Sequence, residues 1–364
     1  MKKSSNRLAF NVVCATVITV MMSIAPSLWS HAKAEPQSHS AMVAATLEKH
    51  IIPRVEGFAV AAGELPDKVQ QVCQTGDPAA HEELSADLRR TVEAWAEIEF
   101  LRFGPLTEAG RRERISFWPD PRGFMARQLR QLIAAKDMKV IEAGAIAKQS
   151  AAVQGLPALE SLMTDKAAPL APGDASAYQC ALSQAIASNI ADMGRDLLQS
   201  WTKDGGWKDK MLRPGSDNDT YKEPSEAASE LIKALLIGFQ LVGDGEIKPQ
   251  LDVNSKYVGP FAKANLSKAY YAAGVKSLQA LYETMALESY LPDDKDWVKN
   301  WAGGAWRVIL ASDGAGGKAV GSVRDDAPEL RELHGRISGL RKLVAKEISA
   351  SAGLTVGFNE LDGD

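Results

Sequence analysis

The stretch HEELSADLRRTVEAWAEIEFLRF (81–103) decides the fold class. Leu84, Leu88, Val92, Trp95 and Glu99 recur at helical spacing on one face, with Leu101 beside it. Gly104-Pro105 then stops the run. The same period continues outward in both directions, and no run alternates with the period of two that a half-buried strand requires. RGFMARQLRQLIAAKDMKVIEAGAIAKQSAAV (122–153) reads as helix in one or two segments. DASAYQCALSQAIASNIADMGRDLLQSWTKDG (174–205) follows, with Asp174 as its N-cap and Gly205-Gly206 as its exit. EPSEAASELIKALLIGFQLVGDG (223–245) has Pro224 near its start and a capping-box-like Ser225. Two further amphipathic segments cover roughly 263–290 and 327–350. The expectation is an all-α protein.

One segment is aperiodic. WTKDGGWKDKMLRPGSDNDTYKEPS (201–225) is rich in Gly, Asp, Pro and Ser and reads as a linker. The expected organisation is a signal peptide (1–34), an N-terminal helical domain (35–205), a linker (206–225) and a C-terminal helical domain (226–364), each domain a small bundle. FGPLTEAG (103–110) and VGPFAKAN (258–265) echo one another. An old duplication and chance both account for so short a match.

The first 34 residues have the parts of a secretory signal: Lys2, Lys3 and Arg7, then an apolar run over 12–25, then Ala32-Lys33-Ala34 as a cleavage site. The apolar run is short for a membrane anchor, which is the alternative reading. Cleavage would remove Lys2, Lys3, Arg7 and Lys33, taking 42 basic residues to 38 against an unchanged 46 acidic ones, a net charge of −8. Such a surface argues against nucleic acid, and no other segment is apolar and long enough to span a bilayer. The mature chain keeps Cys73 and Cys180. In an oxidising compartment these read most simply as one disulfide, with two separate buried thiols as the alternative. Neither has a further cysteine or histidine at the spacing of a zinc site.

VQGLPALESLM (153–163) interrupts the helical pattern. A proline inside a helix costs about 3 kcal/mol, and a glycine roughly 1 kcal/mol. Both are accommodated if Gly155 ends one helix, Leu156 is extended ahead of the proline, and Pro157 opens the first turn of the next. Glu160 then lies one turn in, where exposed N–H groups favour a carboxylate. It reads either as simple first-turn charge, or as a half-buried group facing a cleft between the domains, paired with an arginine or helping hold a hard cation.

Other chemistry-bearing residues are few. Familiar catalytic signatures, among them G-x-S-x-G, H-E-x-x-H and a Walker loop, are absent. The mature chain has His39, His50, His81 and His334, of which His50 and His334 are placed to meet carboxylates. Glu93, Glu97 and Glu99 read as one helical group, balanced by Arg89, Arg90 and Arg102 or by a bound cation. ISFWPDPRGF (115–124) is an aromatic turn in which Trp118-Pro119 and Asp120-Pro121 restrict the backbone. Asp120 either pairs with Arg122 or caps the following helix. The tail GLTVGFNELDGD (353–364) brings Glu360, Asp362 and Asp364 together; solvated acidic tail and hard-cation ligands are both open.

Five segments in order resemble the imelysin family: EAWAEIEFLRFGPL (93–106), ISFWPDPRG (115–123), VQGLPALESLM, YQCALSQAIASNI (178–190) and GFNELDGD (357–364). The resemblance implies two helical bundle-like domains, export to the periplasm or retention at the envelope, and a link with iron acquisition. The family's first-described members were called metallopeptidases. Its proposed metal motif, G-x-H-x-x-E, falls on Gly155, Pro157 and Glu160, with proline in place of the histidine. This chain looks like a G-L-P-A-L-E branch of the family. A hydrolytic zinc needs about three protein ligands and a water, so the substitution weakens the peptidase reading. The expectation is a non-enzymatic protein in iron or other metal-ion uptake. Its ligand would be a metal ion (iron or zinc) or a small molecule, and its partners envelope iron-uptake proteins. The ligand site is expected at Gly155, Pro157, Glu160, Trp118, Asp120 and Arg122. Two alternatives stand beside it: a metal-dependent peptidase with a non-standard set such as His50, Glu97 and Glu160, and an envelope scaffold.

Overall fold

The helix expected over 81–103 ends earlier than its period suggests. Helix α3 spans Pro78–Ala96, so Glu97 is its C-cap and Glu99 lies beyond it in a turn. The reason is burial on every side: Ile98, Phe100, Leu101 and Phe103 are all within the core. Four apolar residues in six cannot share one helical stripe, so the backbone turns to bury them. Gly104, at φ 60°, completes the exit. Asp77 starts the helix, its side chain accepting the Ala79 N–H at 2.9 Å.

The computed structural model describes residues 37–252, 257–312 and 327–354. The signal peptide and the acidic tail expected at Glu360, Asp362 and Asp364 lie outside the described residues. Among the described residues there is no β-strand, and no helix is long and apolar enough to cross a membrane.

The first helices are α1 (His39–Thr46) and α2 (Ile52–Thr75), joined by a wide π-helical turn at Leu47–Ile51. After α3 come α4 (Arg111–Ile115), α5 (Phe124–Ala135), α6 (Leu156–Met163), α7 (Ala177–Thr202), α8 (Trp207–Leu212) and α9 (Pro224–Gln240). Next are α10 (Ser267–Thr284), α11 (Asp296–Ala311) and α12 (Ala327–Leu343). Helix α2 packs against α3 and α7, and α7 supports α6. On the other side α9 packs on α10 and α12, and α11 on α12. Helix α10 packs on α3, while α1 reaches α8, α9 and α10. These contacts join segments from both halves of the sequence, and all described residues fall in one compact unit.

Several local expectations are corrected. The helix expected through 122–153 is only α5; three short 3-10 turns at Met138–Ile141, Ile146–Lys148 and Ala151–Val153 follow it. Lys136 adopts a left-handed conformation, φ 48°, and Asp137 caps the next turn. Helix α7 starts after Ser176 rather than at Asp174, without a side-chain cap. The capping box of α9 is made by Glu223 and Glu226, not Ser225. The segments expected at 263–290 and 327–350 become α10 and α12, and α11 lies between them. The expected linker carries α8 and buries Met211 and Tyr221, with Trp207 and Tyr221 edge to face at 6.5 Å. Cys73 and Cys180 form a disulfide, Cα–Cα 5.8 Å, that ties α2 to α7.

Candidate functional site

Gly155 is not the hinge between two helices that its spacing suggests. It is the extended N-cap of α6, at φ −123° and ψ −163°. A Cβ there would sit 2.1 Å from the Ile115 carbonyl oxygen and 2.3 Å from that of Arg114. Glycine is required because the start of α6 presses on the backbone at the end of α4. Leu156, expected outside the helix, is its first residue, and Pro157 sits in the first turn. The Gly155 carbonyl accepts the N–H groups of Ala158 and Leu159, both at 3.1 Å. Leu156, Ala158, Leu159 and Leu162 are buried, which fixes the direction in which Glu160 leaves the helix.

Glu160 is 4% exposed. Its Oε1 accepts the backbone N–H of Ala264 at 2.8 Å. Burial raises its pKa, opposed by that hydrogen bond and by Lys263. The charged neighbour is thus a lysine rather than the arginine envisaged from sequence. Lys263 donates to Ser161 Oγ at 2.7 Å, which ties the 257–266 loop to α6.

The aromatic turn supplies the opposite wall. The Trp118-Pro119 bond is cis, and the Trp118 ring meets Tyr257 edge to face at 6.0 Å. Asp120 caps α5: Oδ1 accepts Phe124 N–H and Oδ2 accepts Met125 N–H, each at 2.9 Å. This decides between its two readings, and Arg122 is exposed. Trp118, Asp120, Pro157 and Glu160 line one cleft of about 610 Å³ together with Phe117, Tyr257 and Phe261. That is the size of a small-molecule site, mostly apolar with few polar groups. Gly155 lies behind it, and Arg122 is not among its lining residues.

The ligand set His50, Glu97 and Glu160 is not assembled. His50 is fully buried in the π-helical turn, with Nε2 3.4 Å from Ser277 Oγ. Burial and then Arg54 push its pKa down to about 3. Glu97 pairs with Arg54 at 3.8 Å and lines a different pocket with Arg89 and Lys268. Ser277 donates to the Glu97 carbonyl at 2.8 Å, so His50 and Glu97 are neighbours, but Glu160 is in the cleft. Among the described residues no three His, Cys, Asp or Glu side chains converge to hold a metal ion.

One polar cluster was not anticipated. Glu99 and Glu246, 4% and 5% exposed, line a small cavity of about 20 Å³, room for one water. The Tyr270 hydroxyl donates to Glu99 Oε2, and Arg112 Nη1 is 3.8 Å from Glu99 Oε1. Burial, then Glu99, holds Glu246 well above the usual carboxylate range. Glu246 also raises the Tyr257 phenol, after burial, so the cluster adjoins the cleft wall. Glu99 had a signal in the sequence, an acid on an apolar face. Glu246 had none, because the π-helical turn Leu241–Ile247 breaks the helical period.

Comparison with known proteins agrees with this architecture. The family model for imelysin, labelled peptidase M75, matches residues 51–300. The crystal structure of an imelysin-like protein from Psychrobacter arcticum superposes with a TM-score of 0.71 at 22% identity, covering 88% of this chain and 97% of that one. The structure of a candidate iron-regulated protein A precursor from Parabacteroides distasonis gives 0.69 at 13% identity, with the same coverage of 88% and 97%. No curated protein sequence matches.

Proposed function

The chain belongs to the imelysin family, and on that premise we propose that it is a non-enzymatic binding protein of iron-related uptake whose ligand occupies the cleft lined by Glu160. The observation that carries this is the combination of a buried carboxylate with a ligand-sized aromatic space around it. Glu160 is held from the 257–266 loop: its Oε1 accepts the Ala264 N–H, and the backbone N–H and charge of Lys263 also favour its ionised form. Both oxygens of Asp120 are spent on the cap of α5. The cleft's donor set therefore does not fit a hydrolytic metal, which needs about three protein ligands, and no peptidase step is derived from it. Iron would enter as cargo, in a complex that brings its own donors. The description of the Parabacteroides relative as iron-regulated supports the iron link. The disulfide and the signal-like leader support a periplasmic setting.

The test is a titration of purified protein with Fe²⁺, Fe³⁺, Zn²⁺ and a ferric hydroxycarboxylate complex, followed by tryptophan fluorescence. The ferric complex should bind and quench Trp118, with affinity falling at least tenfold in Glu160→Gln. Equal binding by the variant would remove the cleft from the function. Chelator-sensitive cleavage of an unfolded substrate would establish the peptidase instead.

A further inference from the structure

Beside the cleft lies a second pocket of about 610 Å³ that shares only Ala126 and Lys263 with it. Three cations from three segments line it: Arg130 of α5, Lys166 just after α6, and Lys263 of the 257–266 loop. Arg130 and Lys166 are exposed, and their side chains make no hydrogen bond or ion pair among the described residues. Lys263 donates to a neutral hydroxyl, that of Ser161. Asp165 is the one acid in the lining, and its Oδ1 accepts the Ala167 N–H at 3.0 Å. The C-terminal end of α6 carries about half a negative charge. Set against three cations and one carboxylate, this leaves about one and a half positive charges at the pocket, with Lys263 also facing Glu160 on the cleft side. A chain with 46 acidic and 42 basic residues has little reason to concentrate cations in a concavity unless an anion is held there.

We propose that this pocket binds a small organic polyanion, with two or three carboxylate or phosphate groups. The volume exceeds what one inorganic oxyanion fills and suits a small organic molecule. Arg130 offers a planar fork that matches a carboxylate or phosphate in two-point contact, and the lysines act as point charges. The Ser161 hydroxyl accepts from Lys263 and keeps its own proton to donate. The site stands apart from the cleft reading, because none of its charged groups except Lys263 is near Glu160.

The test is calorimetry on the full-length mature protein with citrate, pyrophosphate and acetate, at low salt and at high salt. Citrate or pyrophosphate should bind, acetate should not, and high salt should weaken binding at least tenfold. Which polyanion binds more tightly identifies the group recognised. The double charge reversal Arg130→Glu, Lys166→Glu should also weaken binding at least tenfold; both positions are exposed, and circular dichroism checks the fold. Glu160→Gln should not weaken polyanion binding, because it removes a negative charge beside Lys263, whereas it should weaken binding in the cleft; that opposite response separates the two sites. No binding of either polyanion at millimolar concentration, or equal binding by a folded double variant, overturns the proposal.

Discussion

Glu160 and Glu246 are almost equally closed to solvent, 4% and 5% exposed, and burial raises the pKa of each. Their surroundings differ. Glu160 receives a backbone N–H and sits near a lysine, in a cleft large enough for a small molecule. Glu246 faces a second carboxylate across a space for one water. In the first case two backbone N–H groups and a lysine offset part of the cost of burying the charge, beside a space that a ligand can enter. In the second the cheaper solution is a proton on Glu246, since two buried charges beside one arginine would be poorly compensated. Burial of an acid does not by itself mark a site. An N–H donor and room for a ligand distinguish the two regions.

The largest effect is expected at Gly155. Alanine there would drive a methyl group into the Ile115 carbonyl oxygen, and overpacking of this kind costs about 3 kcal/mol. Urea unfolding of Gly155→Ala should show that loss together with weakened ligand binding, because α6 must move. Stability unchanged from the wild type would mean the close approach is absent. A smaller loss, about 2 kcal/mol, is expected for Glu99→Ala, which strands the buried Tyr270 hydroxyl. Here ligand affinity in the cleft should hold, and a parallel fall in affinity would show that the two regions are coupled.

The smallest effects are expected in the pH dependence of stability. A carboxyl whose pKa is raised by folding contributes stability that is fully present below its unfolded pKa, near 4.5. That stability is lost as pH rises through the folded value. Glu246→Gln should therefore gain stability over the wild type above pH 4.5, with the gap widening until the raised pKa is passed. Glu160→Gln should show a shallower version of the same trend, because Ala264 and Lys263 hold its charged form. Denaturant midpoints from pH 4 to 9 measure both; a flat difference for Glu246→Gln would place its proton elsewhere.

The helical class, the α3 face and the pairing of Cys73 with Cys180 were legible in the sequence because each rests on local spacing or on simple counting. So was Glu160, through the motif around it. What escaped depends on contacts distant along the chain. The need for glycine at 155 comes from the backbone at 114–115, and the partner of Glu160 lies 104 residues away. The wide turns at Leu47–Ile51 and Leu241–Ile247 shift the phase of the helices around them. They carry His50 and Glu246 into the interior, which a period of 3.6 does not foresee.

The start and the end of the described chain are held together. His39 Nε2 meets the Ala352 carbonyl at 2.8 Å across a separation of 313 residues, and the Tyr290 hydroxyl donates to the Gln37 carbonyl. Met42 and Val43 are closed off by α1 packing on α9 and α10. At 5–20 residues per second, a ribosome needs roughly fifteen seconds to a minute to make the intervening stretch. Helices α9 and α10, which cover the first helix, emerge earlier in that interval, and the contact with Ala352 comes last. The fold is therefore closed by contacts between its first and last described segments, which no partial chain can make.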